Sequence, residues 1–214
     1  QVMLREGFAR DDIKAAVVSS VVPNKDRALR VMCKEFYGID ARFIGDPGLD
    51  LGLTVLMQNP GEVGGDRLVN AIAAQETYGG PLIIVDFGTA TTFDVVHADG
   101  NYAGGVIAPG INLSMEALYM AAALLPRIPV ENPGEAPIVG TSTISAMRSG
   151  VFWGYIGLIE GLVARIQDER GGGHKVIGTG GLAPLFATST TVIDHTDDEL
   201  TLRGLRAVHN RNPL

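Results

Sequence analysis

An α/β fold with a mixed sheet is predicted for this 214-residue chain by three observations. Short strand patterns follow one another at 81–88, 91–98 and 101–110, and "ADGN" at 98–101 is a tight hairpin turn between the last two. Helical spacing precedes and follows this block, and the chain closes on strand–helix–strand–helix alternation. Antiparallel neighbours joined to alternating units imply a mixed sheet covered by helices.

Each element has its own signal. "KAAVVSSVVP" at 14–23 reads as a buried strand ended by Pro23. The next helix takes Asn24 as its N-cap, carries Ala28, Leu29, Met32, Cys33 and Phe36 at helical spacing, and stops at Gly38. A second helix at 64–80 has Leu68, Val69 and Ile72 on one face. After the three strands come a helix at 112–125, a proline-rich link at 126–137, and a long helix from about Thr143 to Glu169, with Thr143 read as its N-cap. Strand 175–181, helix 182–187, strand 191–195 and helix 200–211 complete the chain.

Composition narrows the function. With 46% hydrophobic residues the chain can bury a sizeable core, as one large domain or two small lobes. A net charge of −7 with scattered Lys and Arg gives no electrostatic footprint for nucleic acid or an anionic membrane. The most apolar long stretch, "GVFWGYIGLI", is bounded by Arg148 and Glu160 and is about half the ~20 apolar residues of a bilayer span, so it reads as a buried helix. The single cysteine, Cys33, excludes an intrachain disulfide framework, sits on an apolar helix face and fits a reducing compartment, with cytoplasm expected. His97, His174, His195 and His209 lack metal-ligand spacing. Gly150, Gly154, Gly157 and Gly161 recur at helical spacing and permit close helix approach, within the chain or between two copies.

Three constellations carry possible chemistry. In "VDFGTATTFDVV" Asp86 stands at the tip of a buried strand; it either caps the turn or faces a cation, while Gly88, Thr89, Ala90 and Thr91 let backbone amides and hydroxyls approach a phosphate. "GTGGLAP", with Gly180 and Gly181, follows a strand and opens a helix; a tight turn accounts for it, as does a nucleotide against the helix start. In "NPGEVGGDRLVNAIAA" Asp66 and Arg67 follow Gly64 and Gly65 at a helix start, where the acid favours the helix dipole or accepts a hydroxyl proton. No Walker-type lysine motif is present.

Together with "GGVIAPGINLSMEAL" and "VIGTGGLAPL", these blocks resemble, in order and over nearly the whole chain, the type III pantothenate kinases of the acetate and sugar kinase/Hsc70/actin superfamily. The resemblance implies ATP-dependent phosphorylation of pantothenate, the first step of coenzyme A synthesis. It implies two RNase H-like lobes, here 1–78 and 79–214, with ATP between them in a homodimer. Asp66 then matches the proton acceptor, and Gly64, Gly65, Arg67 and Thr143 match pantothenate contacts. Asp86 matches a ligand of K⁺ or NH₄⁺, and Gly88, Thr89, Gly180 and Gly181 fall at the ATP, which brings Mg²⁺.

Two departures accompany the resemblance. Family members begin with a D-x-G-N-T phosphate loop, whereas this sequence starts "QVMLREGFARDD", as though downstream of it; one lobe is therefore expected to be incomplete and Gln1–Leu214 alone nearly inactive and prone to aggregate. Met57 in "LMQNP" replaces a tyrosine that touches pantothenate. The alternatives are a catalytically silent nucleotide- or pantothenate-binding regulatory protein, and an acyl or sugar kinase of the same superfamily.

Overall fold

The structure, a computed structural model, describes residues 5–122 and 125–213. From the N-terminal end, β1 (Val17–Val18), α1 (Pro23–Tyr37) and β2 (Arg42–Phe43) form a βαβ unit whose strands pair in parallel. There follow α2 (Gly65–Tyr78), β3 (Leu82–Phe87), β4 (Ala90–Val96), β5 (Tyr102–Pro109), α3 (Ile111–Ala121) and α4 (Thr143–Arg170). The chain ends on β6 (Lys175–Thr179), α5 (Ala183–Ala187), β7 (His195–Thr196) and α6 (Leu200–Arg211). The second sheet has five strands in the order β5-β4-β3-β6-β7. Its first three strands are antiparallel, and β6 and β7 run parallel to β3, so the sheet is mixed as expected.

Two helical layers cover this sheet. Ile83, Val85, Phe87, Phe93 and Val95 pack against Phe152, Tyr155, Ile156, Ile159 and Val163 of α4. On the opposite face Leu82, Ile84, Val96 and Ile177 meet Leu68, Ala71 and Ala74 of α2 and Leu200 of α6. Val69 and Ile72 of α2 bury with Ala207 and Val208 of α6 and reach Val17 of β1 and Ile44, the residue after β2, so α2 and α6 lie between the two sheets. Their backbones touch: a Cβ on Gly204 would lie 2.0 Å from the Val69 carbonyl oxygen.

Several boundaries differ from expectation. The strand expected at 14–23 is pared to Val17–Val18, because its partner β2, too short for any periodic signal, offers only two residues. Pro23 opens α1 with Val22 as N-cap, so Asn24 is not the cap; proline's fixed φ suits the first helical turn. The cap of α4 is Ser142, whose hydroxyl accepts from the Ser145 amide, and Thr143 is the first helical residue. The strand expected at 191–195 reduces to His195–Thr196; just before it the Asp194 carboxylate takes the Val176 amide at 2.7 Å, in place of a regular ladder bond. Gly38 does end α1, in the left-handed conformation, and Cys33 is core. The helix expected at 112–125 is α3, ending at Ala121; positions 123 and 124 lie outside the described residues, as do 1–4 at the start of the chain.

Candidate active site

Two-residue periodicity decides which side chains can meet. Along β3, Ile83, Val85 and Phe87 face α4 while Leu82 and Ile84 face α2, and Asp86 continues the α2 set. Along β4, Phe93 and Val95 face α4, which leaves Thr92, Asp94 and Val96 toward α2. Asp86 pairs with Thr92, and Asp94 with Ile84, across the antiparallel ladder. Both carboxylates are thereby aimed at one helix.

The start of α2 is seated by glycines. A Cβ on Gly65 would lie 2.9 Å from Ile44 Cβ and 3.0 Å from Ser19 Oγ, and one on Gly64 would lie 2.6 Å from Asp66 Oδ1. The helix start therefore approaches β1 and β2 as only glycine allows. Asp66 Oδ1 accepts the Arg67 amide at 2.8 Å, while Oδ2 has no hydrogen-bond partner among the described residues. Arg67 points into the sheet: Nε and Nη2 donate to Asp94 Oδ1 at 2.7 and 2.6 Å, above the Tyr102 ring. Gly105 leaves room for this guanidinium, since a Cβ there would lie 2.8 Å from Nη2.

Asp94 is fully buried and also accepts from Tyr102 Oη at 2.6 Å and Thr92 Oγ1 at 2.9 Å. Burial pushes its carboxyl up, and Arg67, Tyr102 and Thr92 oppose that rise. Burial with the adjacent Asp94 charge pushes the Tyr102 phenol up as well. Sequence reasoning passed over Asp94; the available signal was an ionisable residue inside the buried run "TTFDVV".

Asp86 is half-buried, and burial pushes its carboxyl up; the Asn70 hydrogen bond opposes this, and the charges of Asp66 and Asp94 add to it. Its Oδ2 accepts from Asn70 Nδ2 at 3.0 Å, so the acid is held from α2 rather than by amides of its own turn. Oδ1 faces two glycine turns. A Cβ on Gly180 would lie 2.7 Å from Oδ1 and 2.8 Å from the Phe87 carbonyl oxygen, and one on Gly88 would lie 3.8 Å from Oδ1. A carboxylate and a carbonyl thus converge where only a glycine fits, an all-oxygen donor set that suits a hard cation. Gly88 and Thr89 are exposed on the adjoining turn, whose Thr89 carbonyl is tied to the Gly110 amide at 3.2 Å. Gly181 borders open space.

The other expected positions divide. Thr143 is exposed at the start of α4 and makes no hydrogen bond to Asp66, Arg67 or Asp86 among the described residues. Met57 lies beside the outer edge of β5, where the Leu56 amide donates to the Tyr102 carbonyl at 2.8 Å, and its Cγ is 3.9 Å from a Cβ placed on Gly104. No group of three or more His, Cys, Asp or Glu suited to a metal occurs among the described residues. Side chains at Gly150, Gly154 and Gly157 would meet nothing, so these glycines are not used for close packing within the described chain.

A family model described as type III pantothenate kinase matches residues 1–165. The chain belongs to the type III pantothenate kinase family. Relatives carrying that name include one from Paramagnetospirillum magneticum, 56% identical over 99% of this chain and 81% of its own length. One from Rhodospirillum rubrum is 55% identical over 99% and 82%, and one from Caulobacter vibrioides 52% identical over 100% and 82%. A solved structure from Campylobacter jejuni, described as of the Baf family of transcriptional activators, superposes with a TM-score of 0.62 over 99% of this chain and 88% of its own, at 20% identity. That likeness supports the fold of this kinase family member. No helix among the described residues is long and apolar enough to cross a membrane.

Proposed function

We propose that this type III pantothenate kinase family member transfers the γ-phosphoryl group of ATP to the primary hydroxyl of pantothenate, giving 4′-phosphopantothenate for coenzyme A synthesis. The observation that carries it is the placement of Asp66, whose Oδ2 has no partner among the described residues, on the helix that holds Asp86, itself beside the Gly88 and Gly180 turns. Asp66, as carboxylate, accepts the hydroxyl proton on Oδ2 as the pantothenate oxygen attacks the γ-phosphorus and ADP leaves. Gly64 and Gly65 seat the helix start against the ends of β1 and β2 and so set where the pantothenate-contacting loop lies. Arg67, fixed by Asp94, offers its remaining N–H groups to pantothenate, and Thr143, exposed at the start of α4, offers its hydroxyl to the same substrate. Gly88, Thr89, Gly180 and Gly181 receive the nucleotide phosphates. K⁺ or NH₄⁺ at Asp86, with Mg²⁺ carried by ATP, supplies the positive charge that phosphoryl transfer requires.

The wider reading has two lobes, 1–78 and 79–214, each RNase H-like, with the site between them; separate sheets and the β5-β4-β3-β6-β7 order support it. A cytoplasmic homodimer is part of the same proposal. Its support is a groove of about 210 Å³ between α3 and α4, lined by Ile111, Met115, Leu118, Gly150 and Gly154; Leu113 and Met120, 53% and 75% exposed, lie on the other side of α3.

Asp66→Asn in the full-length protein tests the mechanism. General-base help is worth about 10²–10⁴-fold, so turnover should fall by that order while ATP binding, read by calorimetry, stays near wild type. Wild-type turnover in this variant would remove Asp66 from the role. Absence of pantothenate-dependent ADP release in the wild-type protein would favour the silent regulatory alternative.

A further inference from the structure

Asn70 lies one turn beyond Asp66 on α2 and is fully buried. Both ends of its amide are engaged: Nδ2 donates to Asp86 Oδ2 at 3.0 Å, and Oδ1 accepts from Thr201 Oγ1 at 2.7 Å. Turning the amide over would set its carbonyl oxygen against a carboxylate oxygen, and the Thr201 hydroxyl, donating from the other side, holds the productive orientation. Thr201 belongs to the first turn of α6, and one turn further Gly204 rests on the Val69 carbonyl, the residue before Asn70. The height of α6 against α2 is thus set beside the relay. With Oδ2 held by Asn70, Asp86 Oδ1 is left facing the space between Gly88, Gly180 and the Phe87 carbonyl.

We propose that Asn70 positions Asp86 for cation binding and that Thr201 anchors Asn70, so that α6 sets the aim of a ligand oxygen it never touches. This rests on Asp86 being a cation ligand. Asn70 is buried behind Asp86 and Thr201 lies behind Asn70, so both act through Asp86, as partners behind metal ligands commonly do.

The experiment uses the full-length protein and KCl as the probe, in a choline chloride background. Two readouts are followed: the KCl-dependent rise in melting temperature, and the KCl concentration giving half-maximal turnover, with the KM for pantothenate alongside. Asn70→Ala should move both KCl midpoints up by about 10–100-fold, the usual cost of losing a partner behind a metal ligand, with little change in the pantothenate KM. Thr201→Val should move them in the same direction by less, and Thr201→Ser, which restores the hydroxyl, should return them to wild type. Should Asn70→Ala fail to fold, Thr201→Val carries the test, because Asn70 is still in place. Wild-type midpoints in Thr201→Val and in any folded Asn70→Ala would overturn the relay while leaving Asp86 as a ligand. A wild-type protein that responds equally to K⁺, Na⁺ and Li⁺ would instead overturn the cation site and the relay with it.

Discussion

Asp94 has no exposed surface and Arg67 keeps only 12% of its side chain in contact with solvent, so neither charge is dissolved by water. Such a pair is costly to form and costlier to halve, because deleting one partner strands the other. Asp94→Asn should therefore cost about 3–5 kcal/mol of stability, read by urea denaturation. Arg67→Met together with Asp94→Asn should recover part of that loss, since the stranded charge is gone. A single-variant loss below about 1 kcal/mol, the worth of an exposed pair, would mean that water reaches the site. Two of the Arg67 nitrogens are committed to the sheet, which leaves the other N–H groups of the guanidinium for the pantothenate contact proposed above.

Helix α2 is the element on which the site depends. Its apolar stripe was visible as Leu68, Val69 and Ile72, but its polar positions matter more: Arg67 and Asn70 reach the sheet strands that carry Asp94 and Asp86. The seat of this helix is the contact of Gly65 with Ile44 and Ser19. Gly65→Ala would press a methyl group into that contact and displace the helix start. Misplacement by ~1 Å costs near 10²-fold in rate, so turnover should fall by about that factor while far-ultraviolet circular dichroism stays unchanged. Wild-type turnover would show that the helix start yields without moving Asp66.

At the scale of the whole molecule, the open question posed by the Gly150, Gly154 and Gly157 stripe is settled only for the described chain, where these positions meet nothing. A second copy packed along α4 would use them. Gly154→Arg should then convert a dimer to a monomer in sedimentation equilibrium, with the monomer's melting cooperativity intact, because the new side chain enters open space. An unchanged mass would place the partner surface elsewhere. The same variant separates assembly from chemistry: if Thr143 acts in the pocket only within the dimer, the pantothenate KM should rise together with the loss of mass.

Periodicity and turn chemistry alone determined the α/β class, the antiparallel meander around "ADGN", the long helix from Thr143 and the glycine turns, because these signals are local. The same local signals marked Asp66, Asp86 and Gly180, since each stands beside glycines at the end of a regular element. Local chemistry could not reveal that Asp86 is held by Asn70, 16 residues before it, that Asn70 is in turn held by Thr201, 131 residues further on, or that Asp94 neutralises Arg67 across 27 residues. Strand boundaries failed for a related reason. Val17–Val18 and His195–Thr196 are as short as they are because a strand extends only where a neighbour pairs with it, and pairing is a property of the folded chain. Sequence thus supplied the residue types, and the packing of α2 and α6 between two sheets decided which of them face one another.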